Sequence, residues 1–145
     1  MLHQLAIGSG LLVLSVLLSG TIFLGLELVL GRFRLWLLRP PLRLKASVML
    51  VLVVLLALGM ITASVWLWAA AYLFLGVFDT LEPSLYFSLV CFTTLGFGDI
   101  VLPLEWRLLS AMNAANGFLN IGIISTITLE ALRRVRKMQL DGPGD

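Results

Sequence analysis

Residues 83–99 read PSLYFSLVCFTTLGFGD, and the two parts of that stretch behave differently. Pro83 to Thr93 is apolar but short. At ~1.5 Å per residue a helix over it is about 16 Å long, roughly half of a ~30 Å hydrocarbon core. It cannot cross a bilayer. Thr94 to Asp99 is glycine-rich, with backbone polar groups that lipid does not satisfy. Such backbone persists at membrane depth only when buried in protein or lining a water-filled path. The stretch reads as a re-entrant helix over 83–93 followed by a lined loop over 94–99.

The flanks are long and apolar, with 60% of the 145 residues hydrophobic and 12% charged. Soluble domains carry roughly 25% charge, so most of this surface meets something other than water. Leu5 to Leu30 spans roughly 39 Å as a helix, enough to cross. Ala46 to Val77 contains no charge, and Trp66, Trp68, Tyr72 and Phe74 near its end suggest an aromatic belt at one interface. Trp106 to Leu132 is a third full span. The expected class is all-α transmembrane, with three spanning helices, a re-entrant helix and a loop. The expected boundaries are an extra N-terminal span over 1–31, a basic loop over 32–45, a central unit over 46–137 and a short polar tail over 138–145. Within the central unit the outer helix covers 46–77 and the inner helix 106–132.

Charge fixes an expected orientation. Nine of the ten basic residues lie in Arg32 to Lys45 or Arg133 to Lys137, and three crossings put both clusters on one side. Basic loops mark the cytoplasmic face. The N-terminus is then outside, with Asp79, Glu82, Asp99 and Glu105. The first 31 residues hold no Lys or Arg, which argues against a cleaved leader. Glu27, the only charge in the first run, lies near Arg32 and Arg34 and reads as an interfacial carboxylate. Pro40-Pro41 breaks any helix through the loop, with an interfacial turn expected around Trp36. Its arginines lack the every-third spacing of a voltage sensor. A multi-pass protein of a prokaryotic inner membrane is the expected setting.

The string Thr93-Thr94-Leu95-Gly96-Phe97-Gly98-Asp99 resembles the filter of the potassium channel family, whose commonest form reads T-V-G-Y-G-D. The Phe form is similar to filters of two-pore-domain channels. The resemblance covers Ala46 to about Lys137. It implies that stacked rings of backbone carbonyls replace the hydration shell of a potassium ion. Aiming successive carbonyls one way requires alternating backbone conformations, some left-handed, which Gly96 and Gly98 adopt at little cost. Thr94, Leu95, Gly96 and Phe97 would hold the ion, with the Thr94 hydroxyl innermost. Leu95 and Phe97 would wedge against the pore helix. Asp99 would add negative potential at the mouth. Thr93, Val90 and Cys91 would support the loop from behind, and the helix C-terminus would favour a cation. A ring needs four contributors and one chain supplies one loop, so the expected partners are three further copies, potassium ions and lipid. No cofactor and no nucleic acid is implied.

The third span holds Gly117 and Gly122, where the family often carries inner-helix glycines, as a hinge or as close packing. Matching that hinge to Gly117 puts Ile121, Ser125 and Leu129 on the cavity side. Asn113, Asn116 and Asn120 form a separate stripe, read as hydrogen-bonding glue toward the pore helix and an adjacent subunit, or else as wetting the cavity. Glu130 either concentrates cations at the inner mouth or pairs with Arg133 or Arg134. Cys91 reads as a buried filler, and His3 as an exposed tail residue with little to couple to. No nucleophile–base set suggests an enzyme. The leading expectation is passive potassium conduction. The alternatives are a poorly selective monovalent cation channel, motivated by Leu95 and Phe97, and a non-conducting scaffold or regulatory subunit. Nothing in the sequence names a gating stimulus.

Overall fold

The computed structural model describes residues 2–32 and 42–140. Within them every regular element is a helix: α1 (Leu2–Arg32), α2 (Leu42–Phe74), α3 (Leu81–Phe92) and α4 (Arg107–Leu140). Three of the four are long and apolar enough to cross a membrane, over Leu2–Ile22, Ser47–Phe74 and Arg107–Glu130. The architecture is all-α transmembrane. The turn expected near Trp36 lies outside the described residues. The inner helix runs beyond Leu132, through the basic cluster, to Leu140, because nothing from Arg133 to Leu140 is a Gly or Pro to break it.

Two helix ends share one device. At the end of α2, the Val77 N–H donates to the Tyr72 carbonyl (2.9 Å) and the Gly76 N–H to the Leu73 carbonyl (3.1 Å). Gly76 has φ +66°. This is a Schellman ending, with glycine in the left-handed position. It stops α2 at Phe74, short of the expected Val77, and turns the chain toward α3. There Thr80 precedes the helix with extended backbone and Glu82 lies in its first turn, where a carboxylate suits the dipole.

The core gathers at the end of the molecule that carries the 94–99 loop. Trp68 and Tyr72 of α2, Phe87 of α3, Leu102 of the following loop and Leu109 of α4 are all buried together. Ile7, Leu11 and Leu12 of α1 pack against them. The Tyr72 and Phe87 rings meet edge to face, centroids 5.4 Å apart at 76°, a favoured aromatic geometry. The expected aromatic belt is therefore split. Trp68 and Tyr72 are fully buried, while Trp66 and Phe74 remain exposed. Residues 68 and 72 share one helix face, and residue 66 lies some 200° away at ~100° per residue.

The first helix is an integral part of the bundle, packed on both α2 and α4. Its polar residues face inward: Gln4, Ser15 and Ser19 are buried, whereas Val13, Leu17 and Leu24 are exposed. Gln4 Oε1 accepts the Leu108 N–H at 3.2 Å, satisfying one of the orphan donors at the start of α4. His3 is not a tail residue. It belongs to α1, and its ring sits 6.2 Å from that of Trp106.

Candidate functional site

The pore helix α3 hands over to the loop through a second Schellman ending. The Leu95 N–H donates to the Val90 carbonyl (3.2 Å) and the Thr94 N–H to the Cys91 carbonyl (2.9 Å). Val90 and Cys91 thus meet the loop through their backbone oxygens. Thr93 closes the last turn, with its hydroxyl donating to the Leu89 carbonyl at 2.8 Å. The left-handed position that glycine fills at residue 76 is filled here by Thr94, with φ +59°. A β-branched residue in that region is a genuine outlier.

From Thr94 onward the backbone alternates. Thr94, Gly96 and Gly98 have φ of +59°, +55° and +77°, whereas Leu95 and Phe97 do not enter the positive region. Thr94 is the one non-glycine member of the series. All six residues from Thr94 to Asp99 are exposed in the single chain. Leu95 and Phe97, 60% and 66% exposed, are not wedged against their own pore helix.

The outer end of the loop is tied down by a residue the sequence reading did not single out. The Tyr86 hydroxyl donates to Asp99 Oδ2 at 2.6 Å. That bond holds the Asp99 carboxyl below its ordinary value against an opposing desolvation, with smaller help from backbone N–H groups. The same bond raises the Tyr86 hydroxyl. The only hint in the sequence was an aromatic hydroxyl thirteen residues before an acid, a weak signal without the re-entrant geometry.

Behind the loop, α4 approaches α3 through Gly117. A methyl group built there would overlap the Phe92 carbonyl and stand 2.8 Å from its Cα. Gly117 is a close-packing position against the last turn of the pore helix. Gly122, by contrast, faces open space. The asparagines are all buried, behind the loop and away from Ile121, Ser125 and Leu129, which are exposed. Asn113 Nδ2 donates to the Tyr72 hydroxyl (3.3 Å), with Ser88 at 3.5 Å. Asn116 Nδ2 donates to Ser64 Oγ at 3.0 Å. Asn120 Nδ2 reaches Ser15 Oγ at 3.4 Å, and Ser19 Oγ donates to Asn120 Oδ1 at 2.5 Å. The partners are the pore helix, α2 and α1 of the same chain. Ser15, Ser19 and Ser64 were missed because serines scattered through apolar runs carry no spacing of their own.

No curated protein and no solved structure matches the chain. A family model described as an ion channel matches residues 48–134, more than half of the sequence. The matched part runs from α2 through the re-entrant helix and loop into α4 and leaves α1 outside. It takes in the alternating loop, the helix before it and the glycine at which α4 packs on that helix, and the chain belongs to the ion channel family.

Proposed function

We propose that the chain is one subunit of a homotetrameric channel conducting potassium passively through Thr94 to Gly98. The observation that carries this reading is the alternation of left-handed φ at Thr94, Gly96 and Gly98. Alternate handedness lets consecutive carbonyls face one side, and four copies make stacked oxygen rings. Asp99 lies at the outer mouth, α3 ends its dipole against the path, and the basic clusters lie at the cytoplasmic side. The N-terminus is then outside. The permeant ion is the only ligand required.

Reconstituted protein should give reversal potentials that follow the potassium gradient. Gly96→Ala should abolish the current, because no neighbour lies within 4 Å and the strain is in the backbone alone. Equal potassium and sodium permeability would replace this reading with that of a poorly selective cation channel. Leu95 and Phe97, standing where the commonest filter string has Val and Tyr, favour that second reading. Absence of any current would leave a scaffold.

A further inference from the structure

A helix begins best after Ser, Thr, Asp or Asn, whose side-chain oxygen accepts the N–H two or three positions on. Residue 106, which precedes α4, is a tryptophan, and an indole N–H can only donate. The acceptor comes instead from α1. The buried Gln4 presents its Oε1 to the Leu108 N–H at 3.2 Å. Leu108 is the second residue of α4, the position a cap would serve. Backbone bonds complete the turn. The Trp106 N–H donates to the Pro103 carbonyl (2.9 Å) and the Leu109 N–H to the Trp106 carbonyl (3.0 Å).

Further contacts of α1 fall on the same two turns of α4. The His3 ring lies 6.2 Å from that of Trp106, tilted by 55°. A methyl group built on Gly8 would overlap the Met112 thioether and stand 3.3 Å from Leu109 Cδ1. Ile7 and Leu11 pack on the cluster that holds Leu102 and Leu109. Residues 3, 4, 7, 8 and 11 recur at helical spacing, so one face of α1 makes all of these contacts. What that face seats is the exit limb of the glycine loop. Ile100 to Trp106 forms no helix or strand. Leu102 is buried, while Val101 and Leu104 are exposed. On the entry side, α3 holds the loop through the Thr94 and Leu95 N–H groups, and Tyr86 holds Asp99. The exit limb ends on a helix start whose cap lies outside the family-matched residues 48–134.

We propose that α1 is the abutment of the loop's exit limb, with Gln4 the positioning residue that fixes the start of α4 and, through residues 100–106, the far side of the loop. An N–H left without its acceptor loosens the first turn of α4. The exit limb then gains freedom, and a less firmly held loop discriminates less between ions. The effect on ion discrimination rests on the conduction reading; the capping of α4 does not.

Two variants of the full reconstituted chain test it. Gln4→Leu removes the acceptor at nearly constant size. Gln4→Glu keeps the acceptor and adds a charge suited to a helix N-terminus. Hydrogen exchange in nanodiscs supplies a readout that needs no current. In Gln4→Leu, amides of 106–110 should exchange about tenfold faster, while those of 113–120 stay as protected as in the unaltered chain. Potassium preference over sodium, from reversal potentials, should fall in the same variant. Gln4→Glu should restore both. Unchanged exchange at 106–110 in Gln4→Leu, equal acceleration along all of α4, or a Gln4→Glu variant as labile as Gln4→Leu overturns the proposal. Local acceleration with an unchanged permeability ratio overturns the link to the loop. Local acceleration in a chain that carries no current even unaltered would sink only the conduction reading.

Discussion

A β-branched residue held at φ +59° stores on the order of 1–3 kcal/mol of strain, and Thr94 is held there between two conformations that glycine would take freely. Glycine already serves the equivalent turn at residue 76. The hydroxyl is the chemical difference, and the proposed conduction reading gives it a use as the innermost ion ligand. Thr94→Gly is expected to raise the stability of the folded protein by about 1 kcal/mol in thermal unfolding and, on the proposed conduction reading, to weaken potassium preference in reversal potentials. Asp99 yields a pH prediction. Its folded carboxyl is held low, chiefly by Tyr86, so the bond contributes above the ordinary carboxyl range and is lost as pH falls through the depressed value. Current should fall under strong outer acid. Tyr86→Phe should move the midpoint of that fall upward, measured by titrating the outer bath in bilayer recordings.

At the scale of elements, α3 and α4 meet where a single hydrogen stands in for a side chain. Gly117→Ala would drive a methyl into the Phe92 backbone, and a backbone cannot rotate away as a side chain does. Overpacking of this kind costs about 1–3 kcal/mol. The expected result is a lower melting temperature together with reduced current, because Phe92 is two residues from Thr94. Gly122→Ala should leave the melting temperature nearly unchanged, since its surroundings are open. The first helix is bound by buried polar pairs, which in membranes are worth about 0.6 kcal/mol each on average. Their value lies in fixing register, since a shift along α1 would separate both serines from Asn120 at once.

At the scale of the whole molecule, the single chain leaves two side chains of its glycine loop uncovered. Leu95 and Phe97 are exposed while the core lies behind the pore helix. Four copies about an axis would cover those side chains and complete the oxygen rings together. Phe97→Ser is therefore expected to shift the chain from tetramer toward monomer in native mass spectrometry from nanodiscs. Helix content by circular dichroism should stay the same. Loss of helix in that variant would mean that Phe97 supports the chain's own fold instead.

The three spans, the half-length helix and the glycine loop were legible because lipid imposes length and removes water. A 12-residue apolar helix and a 28-residue one mean different things there without any tertiary knowledge. Gly96 and Gly98 were legible for the same local reason: left-handed backbone favours that residue. Thr94 in that region was not, because its backbone is set by how α3 ends and not by its own preference. The role of Gly117, the Tyr86–Asp99 bond and the clasp of α1 on Asn120 depended on which helix faces meet. A serine at position 15, inside an apolar run, looks the same whether it faces lipid or an asparagine 105 positions away. Local chemistry and the bilayer settled what the elements are; only their packing decided which polar groups find each other.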